Sequence, residues 1–268
     1  MGGAATHFMN DQIIITLQVF AFLFGAVVGS FLNVVIHRVP LEQSIVHPRS
    51  RCPRCEKPIP WYLNIPLLSW IALRGKCANC KEPISARYPA VELLTGMLAL
   101  AVFLRYGLSP WTIFEFAFVA ALVAITFIDL DHMIIPDVIS LPGIAVGLAG
   151  QLVLPQGHFV AALLAVLIGG GGFLVIAWVH SKIRGVEGLG GGDVKLLAMI
   201  GAFTSPLGIL QTVLVSSLLG SVIGIAYVAA SGRGSQTRIP FGPFLALGAI
   251  SVVLFPDAFS DFLGLRSF

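Results

Sequence analysis

Gly188-Leu189-Gly190-Gly191-Gly192-Asp193-Val194-Lys195 places a carboxylate at the mouth of an apolar segment, behind three consecutive glycines. Ionisable groups at membrane depth are expensive and usually face a cavity or a partner, so Asp193 is a candidate functional residue. The glycines leave the backbone free for left-handed conformations and let another chain approach without side-chain collision. A second acidic cluster, Phe127-Ile128-Asp129-Leu130-Asp131-His132-Met133-Ile134-Ile135-Pro136-Asp137, lies at another junction of two apolar segments. The expectation is that Asp129 and Asp193 form one site.

The 268 residues that carry these clusters are 57% hydrophobic and 11% charged, with a mean hydropathy of +0.93. Soluble domains are about 25% charged, so this composition excludes an ordinary soluble domain. It predicts an all-α, polytopic protein whose surroundings are a lipid bilayer. The net charge of +3 is small, and no nucleic-acid partner is expected. A spanning helix needs about 20 mostly apolar residues. Residues 13–35 supply 23 without a charge and form the first transmembrane helix; the run is too long for a signal-peptide core. Residues 36–89 turn polar. Residues 90–256 then hold seven further apolar stretches, at about 90–104, 111–128, 134–154, 159–179, 194–203, 207–230 and 239–255, for about eight helices in all.

Eight spans put both termini on one side of the membrane. The loops that share a side with residues 36–89 carry Arg38, Arg49, Arg51, Arg54, Lys57, Arg74, Lys76, Lys81 and Arg87, together with Lys182, Arg184, Arg233 and Arg238. Only Arg105 and Arg266 lie opposite, and Lys195, at a helix end, is assigned to neither side. By the positive-inside rule the polar loop, the Asp129 junction and the glycine run all face the cytoplasm. Alternating topology puts the two acidic clusters on one membrane face, where they can meet. Pro136 pushes Ile135 away from helical geometry and favours an irregular start to the helix that follows. Such backbone is tolerated at membrane depth where it lines a watery cavity, and Gly190 to Gly192 would give the same irregularity.

Cys52-Pro53-Arg54-Cys55 and Cys77-Ala78-Asn79-Cys80 form a pair of C-x2-C turns separated by 21 residues. Thiolates two residues apart can occupy adjacent corners of a tetrahedron. Two such turns close a four-thiolate zinc site with no open position, and such a site is structural. Two disulfides or unmetallated thiols are the alternatives; a reducing compartment argues against the disulfides. Between the turns, residues 58–70 are apolar, aromatic and broken by prolines. They either lie along the membrane surface or pack around the metal.

Two carboxyl groups held a few ångströms apart can run aspartic proteolysis, one ionised to draw a proton from water and the other protonated to polarise the peptide carbonyl. Each acid also has a structural reading. Asp193 could cap its helix. Asp131 and Asp137 rival Asp129, with Asp137 a candidate cap for the helix after Pro136. Glu92 and Glu115 are further acids at membrane depth, each suited to a structural hydrogen bond or to supporting the site. A proton-relaying transporter and a non-catalytic assembly factor of a secretion machine are the rival functions. The transporter predicts acids near the bilayer centre and internal repeats, and neither is visible.

These residues together resemble the type IV prepilin peptidases, bifunctional leader peptidase and N-methyltransferase enzymes of the bacterial inner membrane, in the GxGD class of intramembrane aspartyl proteases. The resemblance runs through Gly29-Ser30-Phe31-Leu32-Asn33-Val34-Val35-Ile36-His37-Arg38, the two cysteine pairs, and Ile84-Ser85-Ala86-Arg87-Tyr88-Pro89-Ala90-Val91-Glu92. It continues through Asp129 with Ile135-Pro136-Asp137, Gly190 to Lys195, and Ile239-Pro240-Phe241-Gly242-Pro243-Phe244. The resemblance implies that Asp129 and Asp193 are the catalytic pair, supported by Gly190, Gly192 and Glu92. It implies that Cys52, Cys55, Cys77 and Cys80 belong to a zinc loop associated with methyl transfer. The implied reaction cleaves a prepilin or pseudopilin after a leader glycine, facing the cytoplasm, and then methylates the new amino terminus from S-adenosylmethionine. Retention of all four cysteines favours both activities. No soluble-methyltransferase glycine motif marks the donor site.

Overall fold

The computed structural model describes residues 2–184, 190–231, 239–262 and 264. Gly188, Leu189, Arg233, Arg238 and Arg266, used above for motif and topology, lie outside the described residues. The chain divides into two compact units, residues 1–124 and 125–268.

The first unit pairs α1 (Gly2–Arg38) with α3 (Arg87–Tyr106). Lipid supplies no hydrophobic drive between helices, so close backbone approach over small residues must hold them. The sequence offers this through Gly25 and Gly29, four residues apart on one face of α1. A Cβ at Gly29 would lie 2.8 Å from the Glu92 Cα, and one at Gly25 would lie 2.9 Å from the Gly96 Cα. Between these helices run two single turns of 3-10 helix, Val39–Leu41 and Trp61–Leu63, and a short α2 (Leu68–Ala72). The N-terminal part of α4 (Pro110–His132) completes the unit.

The second unit takes the C-terminal turns of α4, then α5 (Asp137–Val153), α6 (Phe159–Val166), a π-helical turn (Leu167–Gly172) and α7 (Phe173–Arg184). It continues with α8 (Gly191–Phe203), α9 (Pro206–Ser231), α10 (Gly242–Leu254) and a short α11 (Ala258–Phe262). At its centre is α8, whose Leu196, Leu197, Met199 and Ile200 are fully buried. It packs against α5, α6, the π turn, α9 and α10. The π turn carries Gly169 to Gly172, and a Cβ at Gly169 would lie 2.8 Å from the Leu197 carbonyl oxygen. Buried polar side chains inside this unit bond within it: Gln211 Nε2 donates to Ser251 Oγ at 3.1 Å, and Thr212 Oγ1 to the Gly208 carbonyl at 2.8 Å.

The protein is all-α, with no strand among the described residues. Among the described residues, five helices are long and apolar enough to cross a membrane: Gln12–Leu41, Arg87–Tyr106, Pro110–His132, Phe159–Ile183 and Pro206–Tyr227. Asp137–Val153 and Gly242–Leu254 are shorter apolar helices. A helix stands at each of the eight expected positions, with shifted bounds. The stretch expected from 134 starts only at Asp137, because Pro136 ends the extended joint, and the one expected from 239 starts only at Gly242. α8 has 13 residues and covers about 20 Å at 1.5 Å per residue.

Candidate active site

Asp129 lies one turn before the end of α4 and is 5% exposed. The helix closes where the Met133 N–H donates to the Asp129 carbonyl at 2.9 Å. Met133 then takes a positive φ of 54°, and Ile134 to Pro136 are non-helical, as the proline requires. The side chain reaches a distant element. Its Oδ2 accepts the backbone N–H of Gly242 at 2.9 Å, in a buried bond across 113 residues. Gly242 is the first residue of α10, so the carboxylate sits on the positive end of that helix. A Cβ at 242 would stand 2.6 Å from Asp129 Oδ2, so any other residue there displaces the carboxylate. The Ile239 to Phe244 motif thereby acquires a physical role that its sequence alone did not disclose.

Asp193 stands in the first turn of α8, ahead of the apolar run. Gly190 is the N-cap, extended at φ −65° and ψ 135°. The Asp193 N–H donates to the Gly190 carbonyl at 3.1 Å, and a Cβ at Gly190 would lie 3.2 Å from Asp193 Oδ2, so the carboxylate folds back toward the cap residue. Asp193 is the third helical residue, and the cap position belongs to Gly190. Burial pushes Asp193 up to about 6, with the charge of Asp129 adding to it and the Gly190 N–H opposing both.

The glycines serve close approach and not left-handed backbone: none of the three has a positive φ, and Gly191 and Gly192 are already helical. A Cβ at Gly192 would meet the Ile135 Cβ at 3.1 Å, and one at Gly190 would meet Asp193 Oδ2 at 3.2 Å, whereas one at Gly191 would meet nothing within 4 Å. The glycine run is thus fitted against the Ile135-Pro136 joint, which brings the two motifs together.

The rival acids fall elsewhere. Asp137 makes no cap; the cap position belongs to Pro136 and carries no side-chain bond. Its carboxylate instead takes Lys195 Nζ at 2.7 and 2.8 Å, tying the first turn of α5 to α8. This accounts for Lys195, which topology left without a role. Asp131 is exposed.

In the first unit, all four cysteine Sγ atoms lie within 4.8 Å of one another. A tetrahedron with Zn–S of about 2.3 Å has S···S edges of about 3.8 Å. The Cys52 to Cys80 Sγ separation is 3.8 Å, so the donor set fits zinc. The backbone N–H groups of Cys80 and Asn79 draw Cys77 down to about 6. Cys80 goes up to about 11: the Glu82 N–H works against the rise, while burial and the other thiols drive it. Opposite shifts on neighbouring thiols are what competition for negative charge produces, and a cation relieves it.

The two turns are built alike. Cys52 N–H bonds the Lys57 carbonyl as Cys77 N–H bonds that of Glu82; Glu56 returns to Cys52 as Lys81 does to Cys77. Single bridges, Arg51 with Pro58 and Lys76 with Pro83, close them. The repeated Cys-x2-Cys-x2-Pro-Ile at 52–59 and 77–84 is the sequence signal for this duplication. Trp70 Nε1 donates to the Ile84 carbonyl at 3.1 Å, which suits packing around the metal. Trp61 and Tyr62 stay exposed, which suits the membrane surface.

Glu92 is 8% exposed, and its Oε2 accepts the Leu67 N–H at 2.8 Å. It thus anchors the cysteine loop to α3. Glu115 is 5% exposed, and its Oε2 has no hydrogen-bond partner among the described residues.

Fold and site together define a helical, multi-pass membrane protein with acids at helix ends in one unit and a four-thiol cluster in the other. Residues 23–106 match the profile of the Bacterial Peptidase A24 N-terminal domain, and residues 116–225 that of the Type IV leader peptidase family. Several curated relatives are named "Prepilin leader peptidase/N-methyltransferase". The one from Aeromonas hydrophila is 39% identical over 264 residues, covering 88% of this chain and 90% of its own. That from Burkholderia pseudomallei (strain 1026b) is 36% identical over 274 residues, covering 91% and 87%. That from Myxococcus xanthus is 48% identical over 221 residues, covering 82% of this chain and 66% of its own. No solved structure matches the chain. The chain belongs to the type IV leader peptidase family.

Proposed function

We propose that the protein is a bifunctional enzyme of the bacterial inner membrane that cleaves the leader of type IV prepilins or pseudopilins after a glycine and N-methylates the residue so exposed. Asp129 and Asp193 perform the cleavage at the cytoplasmic face. What supports this reading is the packing of the α8 start on the joint after α4, Gly192 against Ile135, which couples Asp193 to an Asp129 carboxylate seated on the α10 N-terminus. Two carboxyl groups so coupled hold one proton between them. The Gly242 N–H favours the charge on Asp129, which draws a proton from water as the water attacks the scissile carbonyl. Asp193, whose hold on a proton is strengthened by burial and by its neighbour, hydrogen-bonds the carbonyl oxygen in its protonated form and stabilises the negative charge that develops there. Gly190 and Gly192 support the pair by letting α8 begin against the Ile135 joint.

Cys52, Cys55, Cys77 and Cys80 would hold a zinc ion that staples residues 36–89 and leaves no coordination position for chemistry. S-adenosylmethionine, when bound, supplies the methyl group. The test is processing of a co-expressed prepilin by Asp129→Asn and Asp193→Asn variants shown to be folded and inserted. Each is expected to abolish leader removal, and continued cutting by both would refute the protease.

A further inference from the structure

A cavity of about 900 Å³ lies within the first unit, between the cysteine loop and the adjoining parts of α1 and α3. That is near the upper end of the roughly 300–1,000 Å³ typical of small-molecule sites. We infer that this cavity is the methyl-donor site and that Glu92 and Asn33 in its wall recognise the donor's positively charged end. The inference rests on the N-methyltransferase reading above and says where in the chain that activity sits.

The wall presents two buried acceptors. Glu92 is more than nine-tenths buried, yet only its Oε2 is engaged, by the Leu67 N–H. Its Oε1 has no partner among the described residues and is not sealed from the cavity. Asn33 is 9% exposed. Its Nδ2 donates to the Tyr88 carbonyl at 3.1 Å, which leaves its Oδ1 as an acceptor in the lining. Leaving such acceptors unmatched in a poorly solvated wall is costly, and a ligand that matches them is rich in donors or cationic. An S-adenosyl sulfonium compound, with its positive sulfur, α-ammonium and adenine amine, is of that kind.

Of the other charges in the lining, Arg51, Arg54 and Lys57 are exposed and face water. Arg38 spends its guanidinium on the loop itself, donating to the Ser44 carbonyl at 2.8 Å and the Pro48 carbonyl at 2.7 Å. Glu56 and Glu82 are exposed, so Glu92 is the buried carboxylate of the lining. Leu67 takes a φ of 61° as it bonds Glu92. A leucine rarely adopts that backbone, and the bond holds the carboxylate's second oxygen in place.

The test is equilibrium binding of S-adenosylmethionine to the full-length, zinc-loaded protein in lipid nanodiscs, comparing wild type with Glu92→Gln and Asn33→Ala. Loss of a charge-assisted bond predicts affinity at least about tenfold weaker for Glu92→Gln. Ultraviolet cross-linking of the donor to wild type should label peptides containing Asn33 or Glu92, a readout that holds even where a variant fails to fold. Unchanged affinity in both variants at full zinc content, or label confined to residues 125–268, would overturn the location while leaving methyl transfer standing. Wild-type protein that binds no donor would overturn both.

Discussion

Replacing Gly242 with alanine tests the acid pair without removing either acid. The new Cβ would stand 2.6 Å from Asp129 Oδ2 and 3.2 Å from its Cγ, where ordinary contact begins at 3.4 Å. The carboxylate must therefore retreat by about 0.8 Å, stretching or breaking the 2.9 Å bond from the Gly242 N–H. A hydrogen bond to a charged group contributes about 1.5–3 kcal/mol, which corresponds to roughly 10- to 150-fold in rate if it is felt fully in the transition state. Displacement of a reacting group by about 1 Å costs on the order of 100-fold by itself. Leader cleavage by Gly242→Ala should thus fall by about 100-fold, measured as the mass of the pilin amino terminus over time with purified enzyme in lipid. Gly171→Ala is the control, because a Cβ there meets nothing within 4 Å. Wild-type cleavage by Gly242→Ala, in protein of wild-type thermal stability, would refute the seating of Asp129 on α10.

Within the glycine run, Gly191→Ala should cleave at close to the wild-type rate, because its side chain enters open space. Gly192→Ala, forced against Ile135 at 3.1 Å, should cleave several-fold more slowly; equal effects at the two positions would contradict the fit of α8 against the joint. Asp129→Asn removes the like charge beside Asp193, so Asp193 should ionise at lower pH than its value of about 6, though burial keeps it above an ordinary aspartate. Infrared detection of the protonated carboxyl band across pH reads this, and an unmoved or upward midpoint would contradict it. Cys52→Ser should abolish stoichiometric zinc and methylation while leader cleavage continues, because the thiol cluster belongs to the first unit and the acid pair to the second. Metal analysis and the mass of the processed pilin check both.

The helices were legible because apolar runs of about twenty residues have few other uses, and the joint after α4 was legible because Pro136 forbids helix at Ile135. Asp193 stood out as a charge where charges are costly, and the cysteine spacing named its own geometry. What escaped is what only distance in the chain conceals. The Gly242 bond to Asp129 joins residues 113 apart, and the clasp of Lys195 on Asp137 joins residues 58 apart. No local pattern announces either. Of the two uses offered for Gly190 to Gly192, left-handed torsion and close approach, the structure takes the second; the lack of a side chain serves both, and sequence does not say which. The capping role expected of Asp137 failed because Pro136 already holds that position and Lys195 claims the carboxylate.

The bond from Gly242 to Asp129 also bears on biosynthesis. Asp129 and Asp193 both leave the ribosome well before Gly242, so a nascent chain that has already inserted both acids still lacks the amide that seats the first of them. On the mechanism proposed above, full proteolytic competence waits until one of the last helices docks, and a chain still lacking α10 is at most a weakened protease.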